Sequence, residues 1–369
     1  MKVVETLHKV REAGVSMCTC NFRFCDGRIN INRVVIRKLL NQLQQILYAS
    51  FSRLIGQNRV GNSESTCIDK GTEHGIDTHY LTLANEPDFN HKQPGAKWSP
   101  LQLALATDVT VNHLRELVKK TPGMVMPKII AANTLSVRAA GRYMEAIAEN
   151  RGAKKNTDVV GYHLYDSSVN QRHYEKLQKF RIPMWVTEWT GPRDMPEATK
   201  TPLTLSLGQM VGRIKAMHGG SSVIMQFELA HPKSYAAGVF QGGSRKLWTR
   251  DTPYYVWQQM VNQTPQGDKA WMVDSSVFQG NKTWHDRIAA YTDTKKRRTT
   301  IHLVNDANTS AGDVVISLSG RKIKSATGFR TSGDENHVQL ADEDVQFSRD
   351  RVSVALPKYS FVTLQIEHR

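Results

Sequence analysis

Cysteine is scarce in this chain, four in 369 residues, too few for a disulfide-stapled scaffold. No apolar run approaches the roughly 18 residues that a membrane-spanning helix needs. The opening stretch MKVVETLHKVREAG lacks the apolar centre of a secretory signal. Internal repeats and low-complexity linkers are missing too. No GxGxxG or P-loop pattern follows any strand-like run, which removes the main sequence argument for a nucleotide-binding sheet. Acidic residues are outnumbered, 34 against 49 Lys and Arg, leaving a net charge of +15. That surplus permits a nucleic-acid or acidic-polymer partner without demanding one. The densest basic run, Lys295-Lys296-Arg297-Arg298, lies between two strand-like segments. It reads as a solvated hairpin turn, with a binding patch as the alternative. What remains, at 40% hydrophobic and 22% charged, is a globular composition with room for two domains.

From residue 79 the chain alternates. Short apolar runs at 79–84, 128–132, 159–165, 184–188 and 223–227 are continuous rather than alternating, as suits strands buried on both faces. Helical spacing fills the gaps at 99–120, 137–150, 170–180, 202–218 and 252–262. Strand and helix in strict order mean parallel βα units. After residue 265 the helical period stops, and short strands are expected at 287–291, 299–304, 313–317, 338–340, 351–355 and 360–366. This second part, 266–369, reads as an all-β sandwich.

The front is harder to place. A helix end capped by Gly14, a strand at 15–22 and a helix at 36–54 are expected. The five later units use residues 79–262, and three more of that size do not fit into the 78 residues before them. An eight-unit barrel therefore looks short of its first two strands, with open edges at 15–22 and 223–227. Cys18, Cys20 and Cys25 cluster, with Cys67 apart. They lack CxxC pairs and nearby histidines, so buried or incidental thiols are expected and no metal site.

Two segments carry chemistry. Leu81-Thr-Leu-Ala-Asn85-Glu86-Pro87 and Met184-Trp-Val-Thr-Glu188-Trp189 each end a buried parallel strand in glutamate. A charge closing an apolar strand is costly unless it is paired or used. The strand ends of a βα barrel surround its active-site mouth. The glutamates are three units apart, so the two strands face each other across a barrel. Paired carboxylates suit glycoside hydrolysis: one acid protonates the leaving oxygen, the other attacks or stabilises the anomeric carbon. Asn85 is placed to hydrogen-bond a sugar hydroxyl. Trp189, just past its strand, is a candidate stacking face for a sugar ring. Trp185, inside the strand, reads as core, and Trp98 and Trp248 lie in loops that could border the mouth.

These motifs resemble the retaining glycoside hydrolases of the large TIM-barrel (4/7) clan. Gly161-Tyr-His163-Leu-Tyr165 resembles the His-x-Tyr of the branch with glucosylceramidases, glucuronoxylanases and β-1,6-glucanases, glycoside hydrolase family 30. The closing run Leu356-Pro-Lys-Tyr-Ser-Phe-Val-Thr-Leu-Gln-Ile366 is similar to that branch's last strand. The resemblance covers residues 70–369. It implies a (β/α)8 TIM-type barrel over 1–265, incomplete at its N-terminal side, followed by the β-sandwich. It further implies Glu86 as acid/base, Glu188 as nucleophile, Tyr165 orienting the nucleophile and His163 lining the pocket. No metal or organic cofactor is implied, nor a nucleic-acid partner, and the substrate would be a poly- or oligosaccharide. Relatives usually act outside the cytoplasm, so the resemblance implies an extracellular or periplasmic location if the true N-terminus is missing. The eighth strand, Val223-Ile-Met-Gln226-Phe227-Glu228, departs from the pattern. Relatives carry a Trp there, so Phe227 is expected to replace it, or Gln226 and Glu228 to reach the sugar. The missing front predicts a gapped barrel of low activity or none. Two rivals stand beside the hydrolase: a carbohydrate-binding pseudoenzyme of the same fold, and a basic protein that binds anionic polymers.

Overall fold

The computed structural model describes residues 79–369 except 90–96, 121–122, 167–169, 192–199, 228–229, 232–239, 242–248, 265–268, 272–283, 294–296 and 319. Before residue 79 it describes only Phe24–Cys25, which pairs antiparallel with Arg28–Ile29. The strand expected at 15–22, the helix at 36–54, Cys18, Cys20, Cys67, Glu228 and Trp248 lie outside the described residues.

Five parallel strands pair in sequence order: β1 (Tyr80–Thr82), β2 (Lys128–Thr134), β3 (Val159–His163), β4 (Met184–Glu188) and β5 (Ser221–Ile224). Their connections are α1 (Pro100–Lys120), α2 (Val137–Glu149), the short α3 (Arg151–Lys155), α4 (Gln171–Gln178) and α5 (Pro202–His218). Local chemistry sets the helix starts. Ser136 accepts from Ala139 N ahead of α2, Asn150 accepts from Ala153 N ahead of α3, and Thr201 caps α5 with Pro202 behind it. In α1 the buried side chains include Leu103, Thr107, Val111 and Leu114, one stripe at helical spacing.

The sheet is curled. β1 and β4 are not neighbours, yet the Tyr80 and Trp185 rings lie 4.5 Å apart. That contact requires the strand faces to wrap toward each other, as in a barrel wall. Among the described residues the sheet has five strands, with β1 and β5 each paired on one side. No closed barrel is seen in them. β5 also lies earlier than the 223–227 expected, so Gln226 and Phe227 sit beyond its end. Ser221, a polar residue weak in strand propensity, starts it, so the apolar run alone misplaced it.

After α6 (Thr252–Gln263) the chain turns to antiparallel β-structure. Its strands are β6 (Lys269–Trp271), β7 (Ile288–Asp293), β8 (Arg298–Asn305), β9 (Asp313–Ser317), β10 (Ile323–Thr331), β11 (Val338–Gln339), β12 (Val345–Phe347), β13 (Arg351–Ala355) and β14 (Ser360–His368). They form a six-stranded sheet, β6-β7-β8-β14-β10-β11, and a three-stranded one, β9-β13-β12. Asp293 opposes Arg298 in the β7–β8 pairing, so Arg298 of the basic run opens β8, while Lys295 and Lys296 lie outside the described residues.

Period-two alternation gives β8 two buried faces. Ile301 and Leu303 join the core between the two sheets, with Val352, Val354, Val362 and Leu364. Val304 joins a second core with Leu207, Met210 and Ile214 of α5, Val256 and Met260 of α6, and Phe361. Apolar packing thus runs from α5 and α6 onto the strands that follow residue 265. β10 was not anticipated. IKSATGFRT has little apolar alternation and a central Gly328, yet it pairs along its length with β14.

Candidate active site

Glu86 follows β1 in the left-handed region, at φ 45°, a conformation that a non-glycine residue keeps only when its surroundings hold it. The holding group is Asn133, near the end of β2. Its backbone oxygen accepts from Glu86 N at 2.9 Å. Its side-chain amide donates to Ala84 O at 3.0 Å and to Asn85 Oδ1 at 3.2 Å. Its own Oδ1 accepts from Thr187 Oγ1 at 2.6 Å. One buried asparagine thereby ties the strand end bearing Glu86 to the residue just before Glu188. A register shift accompanies it, between Ala132 and Thr134, where Ala132 and Asn133 both have positive φ. Gly161 of β3 leaves room for this knot, because a Cβ there would sit 2.6 Å from Ile130 and 3.2 Å from Asn133.

His163, at the end of β3 and 1% exposed, places Nδ1 2.8 Å from Glu86 Oε1 and 3.9 Å from Glu188 Oε1. Tyr165 donates its hydroxyl to Glu188 Oε1 at 3.1 Å. One carboxylate oxygen from each glutamate and one His163 ring nitrogen lie within 4.8 Å of each other. Glu86 is buried, Glu188 is partly open, and Asn85 is exposed beside them. A buried acid, a more accessible acid and an exposed carboxamide thus gather at the ends of the strands. A bond held between two such acids can be protonated by one of them at its leaving atom while the other attacks the atom bonded to it.

Asn85, Glu86, His163, Tyr165 and Glu188 are therefore brought together. Trp189 is not available as a sugar platform. It is 4% exposed, its ring occupies the space above Gly212 of α5, and the Arg213 guanidinium carbon lies 5.4 Å from its ring centre. The side chain alternates away from Glu188 to the helix side of the sheet, the physical reason the expectation fails. Gln226 is bound through Oε1 by Arg213. Phe227 is 44% exposed, and its N–H reaches Trp189 O at 3.2 Å, which keeps it near the end of β4. Trp98 is half-buried against the core and its N–H bonds Pro87 O at 2.9 Å.

Asn133 was missed by sequence reasoning. Its signal was present: an amide that follows the apolar run 129–132 at the end of a buried strand, the same polar-after-apolar mark that singled out the glutamates.

No family model matches the chain, and no curated protein matches it. Solved structures do. A glycoside hydrolase family 30 subfamily 8 xylanase from Clostridium acetobutylicum is 15% identical with a TM-score of 0.66, over 88% of this chain and 72% of that one. A family 30 endoxylanase from Clostridium papyrosolvens C71 is 14% identical with a TM-score of 0.60, over 94% and 76%. An endo-β-1,6-glucanase is 14% identical with a TM-score of 0.53, over 81% and 61%. At such identities the likeness is one of architecture. In its curled parallel sheet with flanking helices and its antiparallel β-domain behind them, this chain shares the fold of family 30 glycoside hydrolases.

Proposed function

We propose that the chain is a glycosidase that cleaves β-linked poly- or oligosaccharides with retention, through Glu86 and Glu188. The observation that carries the reading is the approach of the two carboxylates, with one oxygen of each within 4.8 Å. Retaining enzymes hold their carboxyl groups about 5–5.5 Å apart, and inverting ones keep room for a water at about 6.5–9.5 Å. The fold shared with xylanases and a glucanase supports the same class.

In this scheme Glu86 gives its proton to the glycosidic oxygen while Glu188 attacks the anomeric carbon. The leaving sugar departs as an alcohol, and a glycosyl ester forms on Glu188. Glu86, now a carboxylate, takes a proton from water, and the resulting attack releases the sugar and restores both acids. Tyr165 holds Glu188 Oε1 so that the other oxygen faces the sugar. His163 Nδ1 fixes Glu86 Oε1 in the same way. Asn85 accepts from Asn133 through Oδ1, and its own amide N–H groups are left for a sugar hydroxyl.

The test is a screen of aryl β-glycosides and polysaccharides with wild type, Glu86→Ala and Glu188→Ala, together with a mechanism-based fluorosugar read by mass spectrometry. The expected result is turnover by wild type, a fall of about 10²–10⁴-fold in each variant, and a label on Glu188. Turnover that survives Glu188→Ala would sink the reading. Sugar binding with no turnover by wild type would point to a pseudoenzyme of the same fold.

A further inference from the structure

One end of the β-sandwich gathers positive charge that the candidate active site does not use. β8 begins there at Arg298, opposite Glu367 of β14, and β10 begins at Ile323, opposite His368. Backbone bonds draw the flanking turns in: His368 N to Arg297 O, Arg369 N to Lys322 O and Ile323 N to Arg349 O, each 2.8 Å. Segments 297–298, 321–324, 347–351 and 367–369 thus meet, bringing together eight Lys and Arg against Asp350 and Glu367. Lys324, at 3.3 Å, and Ser325 already occupy Glu367. The charge is felt locally, since burial and the neighbouring Arg321 hold His368 below the ordinary imidazole range.

Between these turns lies a cavity of about 470 Å³ lined by Lys322, Ile323, Phe347, Ser348, Arg349 and Arg369. No lining side chain is acidic. The three cations are exposed, and Phe347 presents 46% of its surface. An open aromatic ring suits the apolar face of a pyranose. The guanidinium forks of Arg349 and Arg369 suit a carboxylate or sulfate, and the Ser348 hydroxyl suits a sugar hydroxyl. A groove for single-stranded nucleic acid would spread several aromatics along a basic track. Here one ring sits in one half-open, cation-lined recess.

We propose that this recess is a second carbohydrate site, selective for polysaccharides that carry carboxylate or sulfate groups. The proposal rests on the reading of the chain as a glycosidase. Its role is to hold an acidic polymer on the molecule that cleaves it, which raises the effective substrate concentration at the candidate active site.

The experiment uses the full chain carrying Glu188→Gln, so that polymer is bound without being consumed. Migration is measured in native gels containing polygalacturonate, dextran sulfate, neutral dextran or no polymer, with poly(dT) as competitor. Retardation is expected with either or both acidic polymers and not with neutral dextran, and it should weaken as salt rises. Lys322→Ala/Arg349→Ala/Arg369→Ala should bind about tenfold more weakly, the loss expected from three exposed ion pairs together. Phe347→Ala should also weaken binding, which diffuse charge attraction would not produce. An unchanged melting temperature in each variant shows that the fold is retained. Absence of retardation, equal retardation by neutral dextran, full binding by Phe347→Ala, or displacement by poly(dT) at lower concentration than by acidic glycan would overturn the proposal. Because the readout is binding, a failure of the glycosidase reading shows separately, as wild type that retards on acidic glycan and hydrolyses nothing.

Discussion

Tyr165 and Asn133 show how much a single side chain does at this site. The Tyr165 hydroxyl is bonded to Glu188 at 3.1 Å, a bond to a group that carries charge in the proposed scheme. Such bonds contribute roughly 1.5–3 kcal/mol. Tyr165→Phe is therefore expected to lower kcat/KM by about 10–100-fold while the melting temperature stays within a degree or two of wild type. Steady-state kinetics beside thermal unfolding separate the two effects. Asn133 is different because its backbone oxygen holds Glu86 N and its side chain bonds three further groups, on Ala84, Asn85 and Thr187, the last beside Glu188. In Asn133→Ala several of these lose a partner at once, at about 1–3 kcal/mol for each group left buried and unsatisfied. Activity and stability should fall together, and a variant that kept full activity would show that the knot does not position the acids.

At the scale of elements, the strands and helices around the site are held by packing that tolerates one expensive group. Arg213 of α5 is 1% exposed, lies 4.0 Å from the centre of the Trp257 ring, and has neither Nε nor Nη1 hydrogen-bonded. Burial holds its pKa well below the ordinary guanidinium range. A buried cation with unsatisfied donors is often improved by an apolar side chain of similar length. Arg213→Met is expected to leave the melting temperature unchanged or higher, whereas Arg213→Ala should lower it by leaving a cavity between Trp189 and Trp257. Circular dichroism melts of both variants test this, and a large drop in Arg213→Met would mean that its bond to Gln226 outweighs the desolvation. The elements themselves were largely legible. α5 spans the residues expected of it, as do β4, β9 and β13, because capping residues and apolar runs are local signals. β10 was illegible because its partner β14, not its own pattern, makes it a strand.

Across the whole molecule, a buried polar network joins α6 to the six-stranded sheet. His302 bonds Thr363 through Nδ1 at 2.9 Å and Thr264 through Nε2 at 2.6 Å, and Gln259 reaches Thr363, Phe361 O and Thr331. Burial lowers the His302 pKa from 6.5 to about 3. The native state thus keeps this ring neutral where the unfolded chain protonates it. The unfolded state binds more protons between pH 6.5 and 3, so this group's contribution is fully present above pH 6.5 and is lost as pH falls toward 3. The limiting slope is about 1.4 kcal/mol per pH unit. His302→Gln removes that term, so the stability gap between wild type and variant should narrow from pH 7 to pH 4 in urea titrations. A gap that stays constant would contradict the assignment.

By itself the sequence determined the order of βα units, the change to antiparallel strands after residue 265 and the two glutamates that follow apolar runs, because periodicity, capping and a charge at the end of an apolar run are written within a few residues. Only the tertiary structure decided that Trp189 faces α5 and not the mouth, that Asn133 links both acids, that β10 is a strand at all, and that turns far apart in the chain meet in one basic recess. Those outcomes depend on how the sheet curls and which strands become neighbours. Both follow from burying the whole apolar surface at once, and no local window of residues contains that information.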